Sequence, residues 1–293
     1  MPQTLTEIKQ LLATHGLRPK HRLGQNFLHD HNHQQRILAA ANPQPTDLLL
    51  EVGPGTGTLT VDLLDAGATV IAVEIDTDLQ PILEQVTAEH AHRFTLLLGD
   101  ALAGKHHLNP DLLNALARPQ GDAASAASSP PTTFKLIANL PYHIASPLLA
   151  NLALLSPTEY PTMTTAVVMV QKEVADRLTA SPSTKAFGPL GIVLQALYHT
   201  TTVSTLPPSC FWPPPSIASA VVRLVRRDEP LTPHPQAFSD FLHTLFSKRR
   251  KQLGSILGRG FPFPPAITTT QRPETLTVEQ LIELHDAADN PTE

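Results

Sequence analysis

Cysteine is almost missing from this chain: Cys210 is the sole one in 293 residues, so no disulfide can form within it. A lone thiol fits a reducing compartment, and a soluble, cytoplasmic protein is expected. Charge is also scarce, at 16% of residues against about 25% in ordinary globular chains. Cations are the minority sign: 21 Lys and Arg against 26 Asp and Glu leave a net charge of −5. That excludes a basic protein that coats nucleic acid wholesale, and confines any RNA contact to a local strip. No apolar run approaches the ~18 residues of a membrane span, so no membrane partner is expected. The opening MPQTLTEIKQLLATHG is interrupted by Glu7, Lys9 and Gln10 and does not read as a signal peptide. What abounds is proline, 29 residues, about twice its usual share of roughly 5%. With 41% hydrophobic residues beside it, this predicts a folded protein with long Pro-rich loops.

Residues 5–16 have apolar positions at helical spacing and stop at Gly16. A basic segment, RPKHRLGQNFLHD, precedes a short helix around Gln34–Ala41. From Asp47 strand-length apolar runs alternate with helical stretches: DLLLEVG, TLTVDLLDAG, ATVIAVEID, LQPILEQVTAEH, FTLLLGD. That βαβαβ order predicts a parallel sheet with helices on its faces. Further strands are expected at Phe134–Asn139 and Thr165–Val170, with a helix near Pro147–Leu155 between them. Gln120–Thr133, rich in Ala, Ser and Pro, has no core-forming residues and reads as a flexible surface loop. Three segments are expected: 1–45, an N-terminal helix and basic stretch; 46–205, the α/β domain with an insertion at about 120–133; and 206–293, a Pro-rich connection and a small helical domain.

EVGPGTG sets Gly53, Gly55 and Gly57 after a strand and before a helix, where a sharp turn lets a ligand approach bare backbone. The spacing G-x-G-x-G is neither the dinucleotide G-x-G-x-x-G nor a phosphate loop, which needs a Lys-Ser/Thr pair. Glu74 ends the next strand about 20 residues beyond Gly53, the distance at which an acid meets a ribose hydroxyl pair. Asp100 closes the third strand at the same edge, where an acid can accept from an adenine amino group. These features identify an adenosine-containing cofactor without choosing between NAD and S-adenosylmethionine. The lack of a clear pyrophosphate site favours S-adenosylmethionine.

Asn139-Leu140-Pro141-Tyr142 follows the fourth strand at that edge. An adenine amine is a poor nucleophile because its lone pair is delocalised into the ring. Hydrogen bonds accepted from it by the Asn139 side-chain oxygen and the Leu140 carbonyl favour a tetrahedral nitrogen, with Pro141 stiffening the turn. Tyr142 can stack on the base. No metal is called for.

RLGQNFL, EVGPGTGTLT, VEID, GDAL, NLPYHIASPLL, VMVQKEVADRL, FWPPPSIASAVVRL and FSKRRKQL, in this order, resemble the KsgA family of small-subunit rRNA adenine dimethyltransferases. The resemblance runs from about Arg22 to Leu257. It implies a Rossmann-like class I methyltransferase sheet with a small helical C-terminal domain. It also implies S-adenosylmethionine contacts from Asn26, Leu28, Gly53, Glu74, Asp100 and Asn139. The family dimethylates two adjacent adenosines in the 3′-terminal hairpin of small-subunit rRNA, within the small ribosomal subunit or its precursor. Phe211 holds the place of a family aromatic that can close the second face of the adenine. Ser216 stands where the family usually has Lys, and His143 where Asn is more usual.

Lys248, Arg249, Arg250 and Lys251 are expected on a helix anchored by Phe246 and Leu253, reaching phosphates together with Lys20 and Arg22. The expected state is a monomer. The competing readings are a large-subunit rRNA adenine methyltransferase of the macrolide-resistance type, a NAD-dependent oxidoreductase, and a ribosome-assembly factor without catalysis.

Overall fold

The computed structural model describes residues 3–104, 107–118, 131–258 and 260–289. Its strands are β1 (Phe27–Leu28), β2 (Leu48–Val52), β3 (Thr69–Glu74), β4 (Phe94–Leu98), β5 (Thr133–Asn139), β6 (Thr162–Gln171), β7 (Tyr198–Leu206), β8 (Phe211–Trp212) and β9 (Ser219–Arg226). Seven form one sheet in the order β4-β3-β2-β5-β6-β9-β7. The four pairings among β2 to β6 are parallel, and β9 runs antiparallel to β6. Parallel strands are buried on both faces and so read as unbroken apolar runs. β2, LLLEV, is buried at every position.

Helix α1 (Leu5–Thr14) precedes β1, and the strands are connected by α2 (His31–Ala41), α3 (Thr58–Asp65), α4 (Gln80–Val86), α5 (Pro110–Ala117), α6 (Ala145–Ala153) and, with a further helix given below, α7 (Lys172–Leu178). Thr4 and Glu7 start α1 with a reciprocal capping box. Asp30 caps α2, and Asn42 ends it in the left-handed region at φ 43°. α5 falls where the sequence predicts no element; Asn109 caps it and Pro110 takes its first turn. Most of the expected loop Gln120–Thr133 lies outside the described residues; Thr133 already belongs to β5.

β1 and β8 make a separate two-stranded pair, with Phe27 opposite Trp212 and Leu28 opposite Phe211. Beneath it Phe211 and Cys210 join a core with Ile37, Leu49, Leu63, Ile137, Met169 and Val221. A second cluster docks Ile8 and Leu12 of α1, with Phe27, onto Leu79, Ile82 and Leu83.

By the packing of its backbone the chain divides into Met1–Lys172 with Thr201–Val225, and Glu173–Thr200 with Arg226–Glu293. Both units are discontinuous, where the sequence predicts three consecutive segments. The reason is that β9 returns to the sheet beside β6. The second unit holds α7 from Glu173 onward, α8 (Pro189–Leu197), α9 (Pro235–Phe246), α10 (Leu253–Leu257) and α11 (Val278–Asp289). Phe187 meets Phe246 edge-on at 6.4 Å, and Phe238 meets His285 at 5.6 Å.

The basic run departs from expectation here. α9 ends at Phe246, and Lys248–Lys251 form turns. Phe246 and Leu253 are buried on either side, as anchors should be. Arg249 is bonded internally, to the Glu274 carboxylate at 3.5 Å and the Lys185 carbonyl at 3.4 Å.

Gly191 lets α8 approach the end of α7: a Cβ there would lie 2.1 Å from the Arg177 carbonyl oxygen. Backbone cannot yield as a flexible side chain does. Gly191→Ala should therefore destabilise the protein by about 1–3 kcal/mol, read as a lower urea midpoint at unchanged m-value.

Candidate active site

One cavity opens at the carboxyl edge of the sheet, lined by Asn26, Leu28, Gly53, Glu74, Asp100, Asn139, Leu140 and Tyr142 among others. Its floor is the glycine turn after β2. Gly53 and Gly55 have φ of +76° and +60°, a region L side chains rarely enter. Space is tight as well: a Cβ on Gly53 would lie 3.2 Å from the Pro141 ring, and one on Gly55 3.1 Å from Phe27, so each ring would have to give by a few tenths of an ångström.

Glu74 is 4% exposed. The Asp76 N–H donates to its Oε1 at 2.8 Å and the Gly55 N–H to its Oε2 at 3.2 Å. Burial pushes its carboxyl above the usual range, and these two amides oppose the rise. The next residue, Ile75, is 42% exposed and lines the cavity, an apolar surface beside the acid. Asp100 is exposed on the rim; its Oδ1 accepts from the Leu102 N–H at 2.9 Å.

The basic N-terminal segment crosses this edge as a strap. Lys20 ion-pairs with Asp76 and, at 2.5 Å, with Asp78. Gln25 donates to Asp76 at 2.7 Å and accepts from the Lys20 N–H at 2.8 Å. Lys20 is therefore held by carboxylates, where the sequence predicts it on phosphate; Arg22 stays exposed. Asn26 donates from its side chain to the Gly24 carbonyl at 2.9 Å, and its own carbonyl accepts from Asn139 Nδ2 at 3.3 Å. That bond fixes the Asn139 amide with Nδ2 engaged and leaves Oδ1 as an acceptor. Leu140 is fully buried and donates its N–H to the Met169 carbonyl at 3.1 Å. Tyr142 is half-buried, its hydroxyl 2.6 Å from Ser219 Oγ at the start of β9. Burial raises its pKa, the Ser219 bond opposing.

The family model described as ribosomal RNA adenine dimethylase matches residues 16–286 of this chain. The chain belongs to the ribosomal RNA adenine dimethylase family. Relatives named ribosomal RNA small subunit methyltransferase A agree. The one from Mycobacterium bovis is 36% identical over 292 residues, 95% of this chain and 86% of the relative. The one from Opitutus terrae is 39% identical over 263 residues, 89% and 87% of the two chains. The fold matches a dimethyladenosine transferase from Plasmodium falciparum, with TM-score 0.68, 24% identity, and 88% of this chain and 95% of that one covered. It also matches the 23S rRNA methyltransferase ErmE, with TM-score 0.67, 25% identity and coverage of 90% and 100%.

For a member of the rRNA adenine dimethylase family, the cavity gathers every predicted cofactor residue and three of the four predicted catalytic ones. Phe211 is the exception. At 2% exposure it is packed into the core beneath β1 and β8 and does not line the cavity. It sits in β8 opposite Leu28, and the aromatics that line the cavity are the half-buried Tyr142 and the buried Phe27.

Sequence reasoning missed Glu51. It is 1% exposed, lines the cavity and accepts from the Thr60 hydroxyl at 2.6 Å. Burial pushes its carboxyl up to about 8, helped by the charge of Glu74 and opposed by the Thr60 bond. The signal was an acid inside an otherwise apolar strand run, LLLEV.

The folded chain thus keeps a proton on Glu51 that the unfolded chain releases near the ordinary value of 4.5. The stability this contributes is complete below that value and is lost as pH rises toward about 8. Glu51→Gln keeps the shape without the titration. Urea unfolding should show wild type losing about 1–4 kcal/mol relative to the Gln variant over this range. Parallel curves would mean that Glu51 titrates normally.

Proposed function

We propose that this protein dimethylates the exocyclic amines of two adjacent adenosines in the 3′-terminal hairpin of small-subunit rRNA, using S-adenosylmethionine, as a step in ribosome biogenesis. The observation that carries the reading is the Asn139 amide, held by the Asn26 carbonyl with its oxygen left to accept. The relatives at 35–39% identity named for the small subunit support the choice of RNA.

The residues present fit the cofactor. Glu74 offers two carboxylate oxygens to a ribose, Ile75 an apolar face and Asp100 an acceptor to an adenine, and the glycine turn bare backbone. When bound, S-adenosylmethionine supplies a methyl group on an electrophilic sulfonium. Asn139 Oδ1 and the Leu140 carbonyl accept from the substrate amine and pull its nitrogen toward tetrahedral geometry. Tyr142, fixed through Ser219, offers its ring to the base. The alkylated amine is cationic and acidic, so its proton leaves without a dedicated base.

The test is incubation of the protein with labelled cofactor and undermethylated small subunits, followed by nucleoside mass analysis. Dimethyladenosine in the 3′-terminal hairpin is the expected product. The ErmE likeness makes the large-subunit rRNA the second substrate to assay, and modification there alone would replace this reading. Tyr142→Ala should lower turnover about 5- to 150-fold, from the 1–3 kcal/mol of one base stack, while calorimetry finds cofactor affinity unchanged. Equal losses in both would assign the ring to the cofactor pocket.

For RNA, the exposed cations Arg22, Lys248, Arg250 and Lys251 remain, with Lys20 and Arg249 engaged internally. Arg250→Glu with Lys251→Glu should abolish subunit methylation at constant Tm and cofactor affinity. The salt dependence of RNA binding should become shallower by about one unit of slope for each phosphate no longer neutralised. An unchanged rate and slope would move the RNA surface elsewhere.

A further inference from the structure

The segment His29–His33 reads HDHNH, four potential metal ligands in five residues, and the proposed chemistry uses none of them. Asp30 caps α2 by accepting the His33 N–H at 3.0 Å. It thereby stands beside the cysteine that lies 180 residues further on, its Oδ2 3.8 Å from Cys210 Sγ. A His33 ring nitrogen completes the group, and the three ligand atoms lie within 4.8 Å of one another. His33 Nδ1 is buried with no hydrogen-bond partner among the described residues. Such an orphan costs about 1–3 kcal/mol unless something satisfies it.

We propose that Asp30, His33 and Cys210 form a zinc-class metal site, separate from the methyl-transfer chemistry. The donor set is one oxygen, one nitrogen and one sulfur, which suits zinc and excludes magnesium and calcium, both of which demand oxygen. Bonds of about 2.0–2.3 Å at tetrahedral angles put ligand atoms roughly 3.3–3.6 Å apart. The sulfur–carboxylate separation is within a few tenths of that, and side-chain rotation closes the rest. On binding, the thiol S–H bond breaks, a sulfur–metal bond forms and the proton leaves to solvent, while the His33 lone pair fills another position. Three protein ligands leave the fourth to water. Asp30 lies two residues after β1 and Cys210 immediately before β8, so the metal would staple the strand pair that carries Phe27 and Leu28 into the cavity wall. The site rests on this geometry alone and stands or falls independently of the proposed function.

The test uses the full-length protein, stripped with chelator, kept under reductant and titrated with Co2+ alone. One equivalent should bind with a sulfur-to-cobalt charge-transfer band and tetrahedral d–d absorption, and Zn2+ should bleach both. Cys210→Ser should lose the charge-transfer band. Because Cys210 is a core residue and its variant risks misfolding, His33→Gln is the second arm. It should weaken cobalt binding by more than about tenfold, the least that loss of even a supporting partner usually costs. No charge-transfer band in folded wild type, or an unchanged isotherm in His33→Gln, would overturn the site. Cobalt binding that survives in both variants would place the metal on the neighbouring histidines and overturn it equally.

Discussion

Glu74 ends a buried strand, and the amides of Gly55 and Asp76 hold its carboxylate between them. An acid so desolvated is costly to ionise unless donors face it. The Gly55 amide can face it only because the chain turns with positive φ at Gly53 and Gly55. Those two positions are also crowded by the Pro141 and Phe27 rings, which a side chain would have to displace. The glycine turn, the acid and the loop after β3 are therefore one mechanical piece. Loosening the turn would release the carboxylate, and moving the carboxylate would leave two amides unpaired.

Asp76 extends that piece to the strap. Burial opposes ionisation of its side chain, yet the bonds from Lys20 and Gln25 outweigh it and hold the carboxyl below its usual value. The strap is thus docked twice, by charge at Lys20 and by apolar burial of Phe27 in a cluster shared with Ile8 and Leu12 of α1. From Gln25 the chain passes straight to Asn26, whose carbonyl orients Asn139. A continuous run of bonded groups joins the acid at the end of β3 to the amide at the end of β5. The two are 65 residues apart in sequence but lie in one cavity.

The parts of this site that are legible in the sequence are those a local rule dictates. Glycine is required by the turn, Glu74 and Asp100 by strand ends, and Asn139 to Tyr142 by the end of the next strand. The motifs and their order carry the family resemblance, which the family match bears out. What escapes depends on pairing across distance. The β1 and β8 strands are two residues each and 183 positions apart, too short for any periodicity, so the burial of Phe211 of β8 in the core has no sequence signal. Lys20 reads as a free cation because its partners, Asp76 and Asp78, are 56 and 58 residues away. The basic run reads as helical from its neighbours, but α9 stops at Phe246, where the last buried apolar position is filled. The chain then turns so that Leu253 can be buried as well. Glu51 is hidden by its own strand, since burial shifts an acid without altering the pattern around it.

These internal pairings also change what the net charge means. Of six cations read as an RNA strip, two are committed to carboxylates of the same chain. Glu51, pushed up to about 8, adds no negative charge near neutral pH. The protein therefore presents fewer charges of either sign than its residues suggest. A net value of −5 sums acids spread over the whole surface, and those beyond about 8 Å of a phosphate are largely screened at physiological salt. The RNA contact proposed above is local: Arg22 on the strap, and Lys248, Arg250 and Lys251 on one turn. A few exposed cations on backbone that buried anchors hold in place can position a phosphate chain in an otherwise acidic protein. The same residues spread along a mobile segment would forfeit that attraction to the entropy of ordering them.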